Sequence, residues 1–294
     1  RGKSEATLKL IAACAAILDQ IAPASVRAVC YRLFAAGLIP DMSKGSTDKV
    51  SRQLVWAREV GVVPWKSIVD ETRDAERVST WSDPDSIIRA AVRGYRRNYW
   101  QDQDYRVEVW SEKGTVRGTL APVLHELGVT FRVMHGFASA TAVNAIAEES
   151  LEDDDRPLIA LYCGDWDPSG MWMSEVDLPE RMMRYGGEVE IRRIALQGFD
   201  LEGLPYFDAH SKQGDARYRW FIDTYGRRCW ELDAMPPPLL RARVRDEIER
   251  YIDRDAWDRA VEVEAAEVES MRDFHDRWKQ SISGPAHKYS DGGT

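Results

Sequence analysis

The sequence predicts an α/β chain: a three-helix N-terminal unit, a parallel sheet flanked by helices, and a helical C-terminal region. Three observations carry this. Apolar residues recur at helical spacing in the first sixty residues. From Tyr105 onward, short apolar strands alternate with helical segments across short loops. Beyond residue 200 helical spacing returns and runs into a Gly- and Ser-rich tail.

Taken in order, Ser4 to Ile21 sets Leu8, Ile11, Ala15 and Leu18 on one helical face, and Pro23 breaks it. Ser25 caps a second helix, Val26 to Ala36, which Gly37 ends. Ser46 or Thr47 caps a third, Asp48 to Val60, ended by Gly61. Val62-Val63-Pro64-Trp65 and Ile68-Val69 read as short extended pieces. Three helices and then a short β element outline a winged helix-turn-helix domain, assigned to residues 1–81. In such a domain the third helix is the one that enters the major groove. Here it carries Lys49, Arg52 and Arg58 beside Val50, Leu54 and Val55, which suits DNA contact and a solvated helix face alike. Asp83-Pro84-Asp85 opens a helix to about Gln103, a connector over 82–104. Its Arg89, Arg93, Arg96 and Arg97 either line a DNA path or are solvated.

The β/α part follows at 105–200. Strand Arg106–Ser111 precedes helix Thr115–Leu127, with Gly128 as its C-cap. Strand Thr130–Met134 precedes helix Ser139–Ser150, and an acidic linker, Glu152–Asp155, leads to strand Pro157–Cys163. Helix Pro168–Tyr185 ends at Gly186-Gly187, and strand Glu188–Ile194 closes the series. Short loops between such units predict parallel strands with right-handed crossovers. Gly114 and Gly118 fit neither a dinucleotide fingerprint nor a P-loop and read as turn and packing positions. Residues 201–294 are mostly helical, with a helix after Pro236-Pro237-Pro238, a long charged one from Asp255 to Ile282, and a flexible tail.

With 294 residues, 44% hydrophobic and 30% charged, the chain can bury a sizeable core. No apolar run approaches the length of about 18 residues that spans a bilayer, so a cytoplasmic protein without membrane contact is expected. The net charge of −9 argues against a general polyanion binder. Yet the first hundred residues hold 16 Lys and Arg against 11 Asp and Glu, and the remainder 24 against 38. A locally basic module on an acidic protein is compatible with nucleic acid. Cys14, Cys30, Cys163 and Cys229 are far apart, without zinc spacing, and read as buried reduced thiols.

The densest chemical signal is Leu161-Tyr162-Cys163-Gly164-Asp165-Trp166-Asp167-Pro168-Ser169-Gly170. A buried strand ends there in two carboxylates one residue apart, and Glu112 ends an earlier strand. Open α/β sheets place their sites at that carboxyl edge. Three hard oxygen donors suit Mg²⁺, or Mn²⁺ in its place, and chemistry on phosphate esters. Asp167 before Pro168 also fits a plain helix N-cap.

Glu112-Lys113, one α-unit, then Asp165-Trp166-Asp167-Pro168-Ser169-Gly170 resembles a Toprim domain. It is most similar to that of the topoisomerase VI A subunit and the meiotic double-strand-break protein, where Glu-Lys and Asp-x-Asp-Pro-x-Gly recur. These proteins carry their catalytic tyrosine on the second helix of a CAP-like winged helix, in an Arg-x-x-Tyr-Tyr context. Here that helix reads Arg27-Ala28-Val29-Cys30-Tyr31, with Tyr31 at the nucleophile's place and Cys30 at the first tyrosine's. Cys229-Trp230-Glu231-Leu232-Asp233-Ala234-Met235-Pro236 resembles a stretch that follows the core in bacterial relatives. The resemblance implies Mg²⁺-dependent double-strand cleavage of DNA. Glu112, Asp165 and Asp167 would hold the metal, Tyr31, Arg27 and Glu112 would be catalytic, and Lys49, Arg52, Arg58 and Lys113 would contact DNA. His135, just past a strand end, touches phosphate or is simply packed. A homodimer is implied, as is an ATPase partner subunit. The plasmid-defence nuclease subunit of Wadjet-type systems is also similar and implies a hydrolytic alternative that needs no Tyr31. A non-cleaving DNA-binding subunit is a third reading.

Overall fold

The computed structural model describes residues 3–68, 80–134, 140–152 and 156–283. The chain divides into two units, Arg1–Asp74 with Asp104–Tyr251, and Ala75–Gln103 with Ile252–Thr294.

The first unit opens with three helices, α1 (Glu5–Ile21), α2 (Val26–Ala35) and α3 (Lys44–Glu59). Ser25 Oγ accepts from Ala28 N–H, so the expected cap of α2 forms, and Ser4 Oγ caps α1 by accepting from Thr7 N–H. α3 starts four residues before the expected Asp48. Ser43 is its N-cap, and Asp41 accepts from the Ser43 and Ser46 hydroxyls. This side-chain lattice holds a first turn that Gly45 alone would not favour. The apolar faces of the three helices meet around Cys14, Leu18, Val29, Leu33, Val50 and Leu54. The extended pieces expected after α3 are absent at 62–67. Val62 and Val63 donate back to the Ala57 carbonyl past a left-handed Gly61, which makes them part of the helix end. Trp65–Ser67 is a single 3-10 turn, and Ile68 makes one parallel bridge to Ala24. Val69 lies outside the described residues.

The same unit contains a four-stranded parallel sheet. β1 (Arg106–Ser111), β2 (Thr130–Val133), β3 (Leu158–Cys163) and β4 (Val189–Ala195) lie in the order β2-β1-β3-β4. α5 (Val116–Leu127) links β1 to β2, and α6 (Ala140–Leu151) leads on to β3. Every residue of β3 is buried, as an unbroken apolar run in a central parallel strand requires. Edge strand β4 alternates instead, with Glu190 and Arg192 exposed. The helix expected from Pro168 to Tyr185 is three pieces: α7 (Pro168–Trp172), a π turn (Met173–Asp177) and α8 (Leu178–Arg184). Pro179 has no N–H to donate back, so the regular ladder cannot pass it.

After β4 come β5 (Phe207–Asp208), α9 (Tyr218–Tyr225) and β6 (Arg228–Cys229), with β5 and β6 antiparallel. α10 (Pro237–Glu249) packs on α5 and β4. No helix among the described residues is long and apolar enough to cross a membrane.

The second unit pairs α4 (Pro84–Gly94) with α11 (Arg254–Ser283). α4 stops nine residues short of the expected end. Arg97 donates its backbone N–H to Glu264 (2.8 Å), and Tyr95 Oη donates to Glu267 (2.7 Å), which draws the chain out of the helix past Gly94. Three of the four connector arginines are paired, Arg89 with Asp85, Arg96 with Glu264 and Arg97 with Glu267, while Arg93 is exposed. The expected tail at 284–294 lies outside the described residues.

Candidate functional site

The strand order makes the crevice. From β1 the chain leaves toward β2 on one side, and from β3 toward β4 on the other. Such a switch point opens a gap at the carboxyl ends of the two strands. Ser111 is level with Cys163 in the β1–β3 register. Glu112 therefore leaves β1 beside the turn Gly164-Asp165-Trp166-Asp167 that leaves β3.

The three carboxylates differ in setting. Glu112 Oε2 is buried without a hydrogen-bond partner among the described residues. Burial, then the charges of Asp165 and Asp167, push its pKa up. Asp165 Oδ1 accepts from Leu232 N–H (2.8 Å) and faces Lys113 Nζ (2.9 Å). Burial raises its pKa, and Lys113 opposes that rise. Asp167, 3% exposed, is the N-cap of α7, accepting from Gly170 N–H (2.8 Å) with Pro168 as the first helical residue. Its second oxygen lies 3.0 Å from Lys212 Nζ. The cap reading of Asp167 thus holds, and both of its oxygens have partners.

The turn is braced from several sides. Trp166, between the two aspartates, exchanges backbone hydrogen bonds of 2.9 Å with Trp230 and sets its ring edge-on to Tyr225 at 5.2 Å. The buried Arg193 guanidinium donates to the carbonyls of Gly164 (2.8 Å), Gly170 (3.1 Å), Leu196 (2.8 Å) and Asp165 and to Ser174 Oγ (2.7 Å). Five acceptors match the five N–H groups of arginine. At Gly170 a Cβ would collide with the Asp165 carbonyl oxygen, so glycine allows α7 to close onto the turn.

A second acidic pair converges here from the segment after β6. Lys113 Nζ lies 2.9 Å from Asp165, 3.1 Å from Asp233 and 3.6 Å from Glu231. Burial opposes its charge, but these three carboxylates outweigh burial and raise its pKa. Ser25 Oγ donates to Asp233 (3.0 Å), and Arg27 makes a bidentate pair with Glu231. Both contacts tie the start of α2 to the sheet edge. Tyr31 is 4% exposed, with the Arg27 guanidinium 5.8 Å from its ring centre. Burial and Glu231 push its phenol pKa up, against Arg27 and Lys113. Cys30 lies wholly inside the helical core, its thiol pushed up to about 11 by burial.

A cavity of about 700 Å³ opens between α2, α3 and this edge, lined by Arg27, Arg58, Lys113, Asp165, Glu231 and Asp233 among others. Four expected site residues, Arg27, Arg58, Lys113 and Asp165, thus meet at one space. Arg58 also stacks over Trp65 at 4.8 Å. Lys49 and Arg52 are exposed and do not line it. At about 100° per residue, Lys49 falls on nearly the opposite face of α3 from Ser51, Val55 and Arg58. His135 lies outside the described residues.

Chemically, the arginines and Lys113 suit an anionic phosphate. The carboxylates suit a hard divalent cation in kind, and the orphaned Glu112 oxygen is a donor with nothing to bind. Among the described residues, however, no three such side chains stand close enough to hold an ion as they are. Two ammonium groups, Lys113 and Lys212, neutralise Asp165 and Asp167 instead. Sequence reasoning gave Lys212, Arg193, Glu231 and Asp233 no role. For Glu231 and Asp233 the signal was the alternating carboxylates of Cys229–Pro236. Lys212 and Arg193 had no local signal, since their partners lie 45 and 19 to 29 positions away or close by only through a turn. Compared with models of known protein families, with characterised proteins and with solved structures, the chain matches none.

Proposed function

We propose that this chain is a topoisomerase VI A-like DNA-cleaving protein, with a winged-helix N-terminal part and a Toprim-type site. The observation that carries this is the meeting of Asp165 and Lys113 with Arg27 and Arg58 around one cavity at the switch point of a parallel sheet, with the charge of Asp165 felt by Glu112 beside it. Glu112, Asp165 and Asp167 would hold Mg²⁺ or Mn²⁺, which supplies neutralisation of charge on the scissile phosphate and the leaving oxygen. Arg27 and Lys113 would bind the phosphate once released from Glu231 and Asp165. Tyr31 would form a bond from its phenolic oxygen to phosphorus as the bond to the 3′ oxygen breaks. The phenol's proton ends on that 3′ oxygen, and the protein stays on the 5′ phosphate. A homodimer on double-stranded DNA, opened by an ATPase partner, is the assembly this reading implies.

Two observations favour other outcomes. The burial and raised pKa of Tyr31 weaken it as a nucleophile and favour hydrolysis by water. The lysines on Asp165 and Asp167 favour a DNA-binding subunit that does not cut. Supercoiled-plasmid cleavage with Mg²⁺ or Mn²⁺, resolved with and without proteinase K, separates the three. Protein-linked ends that vanish in Tyr31→Phe are expected. Protein-free breaks that survive Tyr31→Phe but vanish in Glu112→Ala would make it a hydrolytic nuclease. DNA retention without cutting in either metal would leave the binding subunit.

A further inference from the structure

A second cavity, of about 540 Å³, lies beside Tyr31 on the opposite side of α2's ion pair from the first. Arg27 and Glu231 line both spaces and form the partition between them. The walls of the second are of another kind. Tyr31, Phe34, Tyr206 and Phe207 supply aromatic surface, and Arg27 and Lys212 supply positive charge. Tyr206 is 53% exposed and tilts against Trp230 at 5.7 Å. The Arg228 guanidinium sits 4.4 Å from its centroid, which adds charge at the rim. Lys212 reaches from this cavity to Asp167, 3.0 Å away, so its head group joins the space to the carboxylates at the sheet edge.

A space in the range of about 300–1,000 Å³ with aromatic walls and a few cations takes a flat, charged small ligand. Bases stack on aromatic faces whatever their sequence, and phosphates seek lysine and arginine. We propose that this cavity binds one unpaired nucleotide, with the base against Tyr206 and Phe34 and the phosphate against Lys212 and Arg27. The inference rests on the DNA reading for its natural ligand: a nucleotide drawn from the strand beside the Tyr31 phosphate. Its test uses no duplex and no cutting, so it stands or falls apart from cleavage.

Calorimetric titration of the whole chain with thymidine 5′-monophosphate, without divalent metal, tests it. Thymidine and inorganic phosphate are the controls. We expect saturable binding of the nucleotide and at least ten-fold weaker binding of either control. Tyr206→Ala, on an exposed side chain, should weaken the nucleotide about ten-fold or more, and Tyr206→Trp should restore it. Lys212→Met should weaken the nucleotide but not thymidine. Competition by an unstructured single-stranded oligonucleotide assigns the site to a nucleotide within a strand. No competition assigns it to free nucleotides. Absence of nucleotide binding, equal binding of thymidine, or an unchanged Tyr206→Ala affinity would overturn the proposal even if the protein cuts plasmids.

Discussion

Replacing Glu112 by glutamine should stabilise the protein while abolishing the activity proposed for it. Glu112 Oε2 is buried with no donor among the described residues, and two aspartates add repulsion. A buried polar atom left unsatisfied costs about 1–3 kcal/mol. Glutamine keeps the shape, removes the charge and turns an amide N–H₂ toward the neighbouring carboxylates. A gain of about 1–2 kcal/mol is expected, which raises the melting midpoint by roughly 2–4 °C per kcal/mol. Urea unfolding without divalent ions should show a higher midpoint at unchanged slope. The pH dependence has a definite sign. The folded carboxyl holds its proton more tightly than the unfolded one, whose value is near 4.5. The destabilisation is therefore absent below the unfolded value, grows as pH rises toward the folded value, and is constant above it. The variant's advantage should vanish at about pH 4 and be full above the folded value. A loss of about 1 kcal/mol or more at neutral pH would refute this reasoning, because it would mean Glu112 is a structural partner.

Arg193→Met should be the opposite case. Even two of the five bonds of its buried guanidinium, at about 1.5–3 kcal/mol each, give a loss of about 3–6 kcal/mol in urea unfolding. Arg193→Lys should recover little, since an ammonium group reaches fewer acceptors, and a loss below about 1 kcal/mol in Arg193→Met would count against the bracing role. Gly170→Ala should cost about 1–3 kcal/mol, because α7 or the Asp165 carbonyl must move; an unchanged midpoint would contradict that clash. Burial holds the thiols of Cys14, Cys163 and Cys229 up to about 12. Ellman's reagent at about pH 8 should therefore label no cysteine in the native chain and all four in urea, and native labelling faster than unfolding would refute it.

Local pattern was enough for the four strands of the parallel sheet and for the place of the acidic turn, but not for the two-residue strands β5 and β6, which lie in a stretch expected to be mostly helical. An unbroken apolar run such as Leu158–Cys163, bounded by Pro157 and Gly164, suits a strand buried on both faces of a parallel sheet, and Gly164-Asp165-Trp166-Asp167-Pro168 follows it at that sheet's carboxyl edge. The caps Ser25 and Asp167 were legible for the same reason, since each bonds to an N–H only three residues away. The sequence misplaced the start of α3, where Asp41 gathers two serines, and the end of α4, where Glu264 and Glu267 capture backbone and side chains from another part of the chain. The partners of the acidic residues were also out of its reach. Lys113 meets Asp233 across 120 positions and Arg27 meets Glu231 across 204. No spacing rule spans such distances, because the pairs exist only once the sheet, α2 and the segment after β6 have closed on one another. Sequence alone therefore located Glu112, Asp165 and Asp167, and tertiary structure decided which charges stand around them.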